Sequence, residues 1–160
     1  MTSAVQWWLA REVVTAEYLL AIACGEPDHA RSRLATSAKA SKTGTTGYCV
    51  DAGKVSYQHP EFGTGVVPVR RLITLATECR TEENAQELRA AYRGYVDAAV
   101  AGRAAGLPPH PTDEDWQRLH THQRRCQAAS DRLRAAERAW WATATPPAEP
   151  MQLDLFQPMT

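Results

Sequence analysis

A histidine and a cysteine late in the chain have the types and spacing of metal ligands. His122 and Cys126 are four residues apart, so on a helix they lie on one face, one turn apart, and form a workable pair of zinc ligands. A structural zinc site needs about four ligands, and the sequence has no second pair at a matching spacing. We therefore predict a buried cysteine and a solvated histidine, with no metal and no cofactor, and keep His122 and Cys126 as weak candidates.

Other combinations of residues that could carry chemistry are weaker still. Residues 41–47, SKTGTTG, resemble a phosphate-binding loop only superficially, because Lys42 precedes both glycines, whereas a P-loop has its Lys-Ser/Thr pair after the second one. The sequence shows no arrangement of Ser, His and Asp typical of a catalytic triad, no nucleophile elbow and no cluster of carboxylates. The sequence thus predicts a protein that is not an enzyme. A small metal-bound or catalytic domain is the alternative.

Arginines make the last third of the chain locally basic. Four of them are candidates for contacts with DNA phosphates, namely Arg124, Arg125, Arg132 and Arg134. Asp131 and Glu137 interleave with them, which is equally typical of a solvated helix face. Lys and Arg total 18, and Asp and Glu total 18, so no overall charge attracts nucleic acid or a membrane surface. Direct contact with DNA is therefore an alternative, and no membrane partner is predicted.

An apolar group of residues follows a proline-rich segment near the end of the sequence. The segment ATATPPAEPM, residues 142–151, predicts an extended, semi-rigid tether. Leu153, Leu155 and Phe156 come directly after it. Apolar residues in a flexible tail have no core to enter. We therefore expect the tail either to bind a partner or to pack back over Trp140 and Trp141.

Residues 152–156, QLDLF, resemble the clamp-binding peptide of bacterial replication and repair proteins. That peptide has the preferred form Gln-Leu-Ser/Asp-Leu-Phe and docks on the β sliding clamp, the β subunit of DNA polymerase III. All five positions match. The resemblance implies that Gln152 hydrogen-bonds in a polar subsite. It implies further that Leu153 and Asp154 help to set the extended conformation, and that Leu155 and Phe156 enter an apolar pocket.

The resemblance predicts a non-catalytic protein that binds the β sliding clamp. By occupying the pocket that polymerases and repair proteins share, it would compete with them or redirect them, as suits a replication inhibitor encoded by a phage or plasmid. In the alternative, the clamp recruits the body of the protein to replicating DNA. Burial of Leu155 and Phe156 stabilises a complex by about 1.5 to 3 kcal/mol each. Ordering of the tail offsets part of this gain, so we expect binding of about micromolar strength.

The elements that must position these residues are mostly helical. A capping box at residues 3–6 precedes one predicted helix over residues 3–24, and Pro27 opens a weaker one over residues 27–39. The segment AGLPPHPT, residues 105–112, breaks the helical pattern. Three further helices are predicted from start signals at Pro68, Thr81 and Thr112, where Thr81 could instead mark a kink.

A short β-favouring segment interrupts the helices. The runs YCV and KVSY are separated by DAG, which suits a hairpin turn, and FGTGVV could add a strand. We predict a β-hairpin or meander at residues 48–67 as the only β structure, after a flexible connection at residues 41–47. The predicted fold class is mainly α, a bundle of about four to five helices with this insert. It forms one domain at residues 1–142, followed by a flexible, proline-rich tail at residues 143–160.

The last predicted helix, from Thr112 to Ala142, carries an apolar repeat of seven. The repeat consists of Leu119, Cys126, Leu133 and Trp140, flanked by Trp116. It indicates a narrow seam that faces a partner helix. The other seam positions are polar, Gln123, Ser130 and Glu137, which favours packing against this protein's own helices. A homodimer through this helix stays open, because heptad spacing is also typical of coiled coils.

The cysteines and the apolar stretches indicate where the protein works. The four cysteines are widely spaced without a CxxC pair, and no signal peptide is recognised at the start of the sequence. We therefore predict a cytoplasmic protein with reduced thiols, associated with the nucleoid or replisome if it binds the clamp. The most apolar stretch, VVTAEYLLAIAC, is too short to span a bilayer and contains Glu17.

Overall fold

The computed structural model describes residues 3–36, 39–43, 46–104 and 106–143. These residues form six helices and four strands: α1 Ala4–Val13, α2 Ala16–Ala23, α3 Pro27–Thr36, β1 Lys39–Thr43, β2 Thr46–Asp51, β3 Lys54–His59, β4 Gly63–Pro68, α4 Val69–Glu78, α5 Glu82–Ala104 and α6 Asp113–Ala142. The strands form one antiparallel meander in the order β1-β2-β3-β4. The predicted fold class, mainly α with an inserted meander, is confirmed. No helix within the described ranges is long and apolar enough to cross a membrane.

The predicted single helix over residues 3–24 is wrong, because the chain breaks at Val14 and Thr15. Val14 has φ −88° and ψ 80°, which is not helical, and Thr15 is extended. The Thr15 carbonyl then accepts the amides of Tyr18 and Leu19 and starts α2. In a continuous helix Val13 and Val14 would point about 100° apart. The break allows both valines to be buried, at 3% and 1% exposure.

The sheet begins earlier in the sequence than predicted. β1 pairs with β2 in antiparallel register, with Lys42 opposite Gly47 and Thr43 opposite Thr46. The predicted flexible connection at residues 41–47 and the predicted end of the second helix at residue 39 are therefore wrong; residues 37, 38, 44 and 45 lie outside the described ranges. Strand formation depends strongly on cross-strand neighbours, so the polar composition of β1 hid the pairing with β2.

The hairpin turn predicted at DAG is confirmed. Asp51 lies opposite Lys54, and the two residues between them, Ala52 and Gly53, both have positive φ, 48° and 75°. Positive φ at both central residues is the signature of the type I′ turn, whose twist matches that of the strands. Among the residues of the sheet whose side chains are described, Val50, Val55 and Val67 are buried against the helices.

The later start signals are confirmed. α4 follows Pro68 directly. Thr81 and Asn84 bond each other's backbone amides at 3.1 and 2.8 Å, so α4 and α5 are two helices and not one kinked helix. Thr112 and Asp115 form a complete capping box at the start of α6. The bonds from the Thr112 amide and hydroxyl hold the pKa of Asp115 below its ordinary value.

One apolar core joins the helices and the inner face of the sheet, but it covers only part of the hairpin of α5 and α6. The buried residues of α5 end at Ala91, and those of α6 begin at Leu133. Residues 92–104 and 106–130 lie beyond these limits, and we call them the arm. No residue of the arm whose side chain is described is buried. The two halves of the arm are therefore held mainly by each other.

Candidate functional site

The predicted clamp-binding peptide, residues 152–156, lies outside the described residues. The structure shows instead the helix end that precedes it. α6 ends at Ala142 and its C-cap is Thr143, and Gln152 follows Thr143 by nine residues. An extended chain of that length spans about 30 Å. We call Trp140, Trp141 and Thr143 the tail anchor.

The tail anchor is fixed to the end of α4 by hydrogen bonds. The indole Nε1–H of Trp140, a side chain with 0% exposure, donates to the carbonyl of Ala76 at 3.0 Å. The Thr143 hydroxyl lies 3.0 Å from the carbonyl of Cys79 and 2.8 Å from that of Trp140, and its single proton serves one of them at a time. The last carbonyls of a helix have no intrahelical donors. Trp140 therefore supplies a donor that the Ala76 carbonyl lacks within α4, while the Cys79 carbonyl also accepts from the Asn84 side chain at 2.8 Å.

The two tryptophans of the tail anchor have different environments. Trp140 is enclosed by the core, whereas Trp141 is half-buried and makes an edge-to-face contact with Trp7, with ring centroids 5.9 Å apart. Such contacts add about 0.5 to 1.5 kcal/mol to the area that they bury. The first and last helices therefore contact each other through these two rings. Trp140 offers no exposed surface onto which a tail could pack, which leaves only Trp141 of the pair for that alternative.

The four arginines predicted to contact DNA do not act as one group. Arg132 forms two hydrogen bonds with the carboxylate of Glu87, at 3.0 and 3.2 Å, and this bond raises the pKa of Arg132. It therefore joins α6 to α5. Arg124 and Arg125 are exposed and have no ion-pair partner among the described residues. Arg134 is also exposed but lies about three turns further along the helix.

Arg134 lies near the carboxylate of Glu137, which compensates part of its positive charge. Glu137, a polar position of the predicted seam, accepts a hydrogen bond from the amide of Ala16, the first residue of α2. Burial raises the pKa of Glu137, while the bond from Ala16 and the charges of Arg134 and Arg138 act in the opposite direction. The N-cap Thr15 makes no side-chain capping bond. Glu137 therefore caps α2 from another helix.

The candidate metal ligands lie at the interface of α5 and α6. The Cys126 thiol donates to the carbonyl of Ala98 at 3.5 Å, and its sulfur faces Gly102. His122 is half-buried one turn before it. Within the described ranges, no group of three or more His, Cys, Asp and Glu residues could hold a metal ion. Cys126 is only partly buried, and its contacts serve to pack the two helices closely.

The four cysteines form no disulfide. Cys24 and Cys49 are exposed, and Cys79 is buried beside the end of α4. Burial, followed by the charge of Glu78, raises the pKa of the Cys79 thiol from 9.0 to about 11. Cys79 therefore stays protonated at neutral pH and is a poor nucleophile.

The sequence prediction missed the apolar surface of the arm. Trp116, which flanks the predicted seam, was expected on a buried face, yet it is 44% exposed, and Tyr95 in α5 is 42% exposed. The polar residues Gln123 and Ser130 at positions of the seam are the signal that could have revealed this. A seam interrupted by polar residues indicates a helix that leaves the core.

Comparisons with known proteins find no relative of this chain. No protein-family model matches the chain, and neither the search of curated proteins nor the search of solved structures finds a match.

Proposed function

We propose that this protein binds the bacterial β sliding clamp through residues 152–156, with the helical body holding the start of the tail. The observation that carries the proposal is the match of QLDLF to the clamp-binding peptide at all five positions. In the proposed complex Leu155 and Phe156 fill an apolar pocket, and Gln152 orients the peptide. The proposed effect is competition with the polymerases and repair proteins that use the same pocket.

Two features of the body support this proposal. The tail anchor ties the last turn of α6 to α4, so a partner that holds the tail also holds the body within about 30 Å. The core encloses Trp140, which removes one of the two tryptophans onto which the tail could fold. An apolar tail with fewer places to pack on its own body is more available to a partner.

The direct test is a titration of purified clamp with four proteins: the full chain, a chain that ends at Pro150, the double variant Leu155→Ala/Phe156→Ala, and the control Met159→Ala. Met159 is an apolar residue of the same tail outside the motif. We expect the full chain and the control to bind with a micromolar dissociation constant. The double variant should lose about 2 kcal/mol or more, because the pocket-filling groups are gone. Equal binding by all four proteins, or binding by none, would refute the proposal.

A second experiment separates competition from recruitment. Clamp-dependent DNA synthesis is measured with the full chain, with the isolated peptide of residues 150–160, and with the same peptide carrying the Leu155→Ala/Phe156→Ala changes. Competition predicts that the full chain and the unchanged peptide both inhibit synthesis, and that the altered peptide does not. If the full chain binds the clamp without slowing synthesis, recruitment of the body to DNA replaces competition as the proposed effect.

A role in DNA binding is the second candidate, and the exposed pair Arg124 and Arg125 favours it. The chain that ends at Pro150 is the suitable protein, because it separates this role from the tail. Each phosphate contact contributes a slope of about 0.9 to the dependence of log affinity on log salt for duplex DNA. DNA binding through the pair predicts that Arg124→Gln/Arg125→Gln reduces this slope by about two. The matched change Arg132→Gln should leave it unaltered, because Arg132 is bonded to Glu87.

A further inference from the structure

A cleft with a positively charged lining lies where α3, the turn between β2 and β3, and the start of α4 meet. Its volume is about 500 Å³, and pockets for small molecules have about 300 to 1,000 Å³. Three cations from the three elements line it, namely Arg31, Lys54 and Arg70, and no carboxylate of the described residues does. Asp28 and Glu78 line the neighbouring groove between α3 and α4 instead. The cleft therefore concentrates positive charge on one side of the fold.

Backbone contacts hold two of these cations in place. The Gly53 carbonyl accepts the amide of Val69 at 2.9 Å, and Lys54 lies opposite Pro68 in the register of β3 and β4. The turn is thus fixed to the start of α4, with Arg70 two residues after Pro68. The backbone positions of Lys54 and Arg70 are set before a ligand binds, which lowers the cost of binding.

The charges that line the cleft are only partly neutralised by the protein. Lys54 and Arg70 form no ion pair among the residues that the structure describes, and Asp51 lies opposite Lys54 across the turn without pairing with it. Arg31 pairs with Asp28 at 2.9 Å, but a guanidinium has five N–H donors, so others stay available. The first turn of α4 contains no acidic residue. An anion in the cleft would neutralise charge that the protein leaves unpaired.

We propose that this cleft binds a phosphomonoester, a small organic molecule with a terminal phosphate group. Such a group carries a charge of about −1.5 to −2 at neutral pH and has three strong acceptor oxygens, which suits three converging cations. The guanidinium groups of Arg31 and Arg70 can each form paired hydrogen bonds with phosphate oxygens. A phosphate of the DNA backbone carries a single charge. The concentration of three cations in one cleft therefore favours the monoester over nucleic acid.

The cleft also has a surface for the organic part of the ligand, and it lies away from the tail. Ala52 and Pro68 line it and are exposed, so an apolar or flat group can lie against them while the phosphate meets the cations. The cleft is at the start of α4, whereas the tail anchor bonds to Ala76 and Cys79 near the end of this helix. The proposal is therefore independent of clamp binding.

The test is an NMR titration of the isotope-labelled full chain with AMP and with adenosine, the matched probe without the phosphate. We expect AMP to bind with a dissociation constant of about 0.1 to 1 mM, because the cations are exposed to solvent. It should shift the amide signals of Gly53, Lys54 and Arg70 most. Inorganic phosphate should shift the same signals, and adenosine should not. Equal shifts by AMP and adenosine, or AMP shifts in the arm instead of the cleft, would overturn the proposal.

Variants that remove charge locate the site. Lys54→Gln/Arg70→Gln should raise the dissociation constant for AMP at least tenfold, because two of the three cations are gone. The matched control Arg93→Gln/Arg103→Gln removes two exposed arginines of the arm and should bind AMP as the wild type does. The chain that ends at Pro150 should do so too, whether or not it has lost clamp binding. Equal weakening by the two double variants would overturn the proposal.

A short DNA duplex distinguishes the phosphomonoester from a nucleic-acid backbone. We expect the Lys54→Gln/Arg70→Gln variant to interact with the duplex as the wild type does, because this cleft takes a single small ligand. If the duplex shifts the amide signals of the cleft and AMP does not, the cleft binds a nucleic-acid backbone and the phosphomonoester proposal is wrong.

Discussion

The indole N–H of Trp140 donates a hydrogen bond of 3.0 Å to the carbonyl oxygen of Ala76, a residue 64 positions earlier in the chain. The bond joins the last turn of α6 to the last turn of α4. In a continuing helix the Arg80 amide would donate to the Ala76 carbonyl, but it donates to the Thr77 carbonyl instead. The indole of Trp140 therefore supplies the donor that the Ala76 carbonyl lacks within α4. One side chain thus fills the core and completes a helix end.

Replacement of Trp140 by Phe tests this double role. We expect Trp140→Phe to lower the free energy of unfolding by about 2 to 3 kcal/mol, because the Ala76 carbonyl loses its donor and the smaller ring leaves a cavity. Trp141→Phe is the matched control and should cost less than about 1 kcal/mol, since Trp141 is half-buried. The measurement is urea unfolding followed by circular dichroism. Equal losses for the two variants would contradict the assignment.

The burial of Glu137 beside the start of α2 makes stability depend on pH. Burial raises the pKa of Glu137 above its ordinary 4.5, so the folded protein binds this proton more tightly than the unfolded chain does. Stability from this group is therefore greatest at low pH and falls as the pH rises through the raised value. Glu137→Gln keeps an oxygen that can accept from Ala16 and should remove this dependence.

The matched change Glu137→Ala separates the cap from the charge. It removes the acceptor for the Ala16 amide and should cost about 1 kcal/mol at neutral pH, whereas Glu137→Gln should cost less. Urea unfolding of the three proteins at acidic and neutral pH is the measurement. If the two variants are equally stable at neutral pH, Glu137 does not act as the cap.

Burial of Cys79 predicts a difference in thiol reactivity. In the native protein at neutral pH, Cys24 and Cys49 should react quickly with a disulfide reagent, and Cys79 should react only when the protein unfolds. Cys24→Ala should therefore remove one fast-reacting thiol, and Cys79→Ala should remove none. The pKa of about 11 also predicts that stability falls as the pH rises from 9.0 toward that value. A rapid reaction of Cys79 in the folded protein would contradict its burial.

Two glycines should respond in opposite ways to replacement by alanine. A Cβ on Gly94, inside α5, would meet nothing within 4 Å, so Gly94→Ala should stabilise the protein by about 0.5 to 1 kcal/mol. A Cβ on Gly65 would lie 2.6 Å from the hydroxyl oxygen of Tyr57. Gly65→Ala should therefore displace this ring, which packs on Trp8, and destabilise by about 1 to 3 kcal/mol. Thermal unfolding of both variants is the check, and shifts of the same sign would contradict it.

The parts of the fold that sequence predicted well depend on contacts within a few residues. The caps at Thr81 and Thr112 are formed by side chains three residues away, and the DAG turn needs only its own backbone angles. The break at Val14 was missed because it is stabilised from a distance, partly by Glu137. β1 was missed for the same reason, since its partner strand makes it a strand.

The candidate functional residues show the same difference between features that depend on neighbouring residues and features that depend on distant ones. The proposed clamp-binding peptide is a linear motif, so five adjacent residues suffice to state that hypothesis. The arm could not be predicted, because helical spacing marks an apolar face without showing whether another element covers it. The ion pair of Arg132 could not be predicted for the same reason. Its sequence neighbours suggested an unpaired charge, whereas Glu87 on another helix pairs with it.

The hydrogen bonds of Thr143 and Trp140 also have an evolutionary consequence. Because these residues complete the core and the end of α4, selection for folding acts on substitutions up to Thr143. Selection for binding acts on substitutions in a binding peptide. Under the proposed function, the body and the peptide can therefore change at independent rates, and a different peptide joined after Thr143 would direct the same body to another partner.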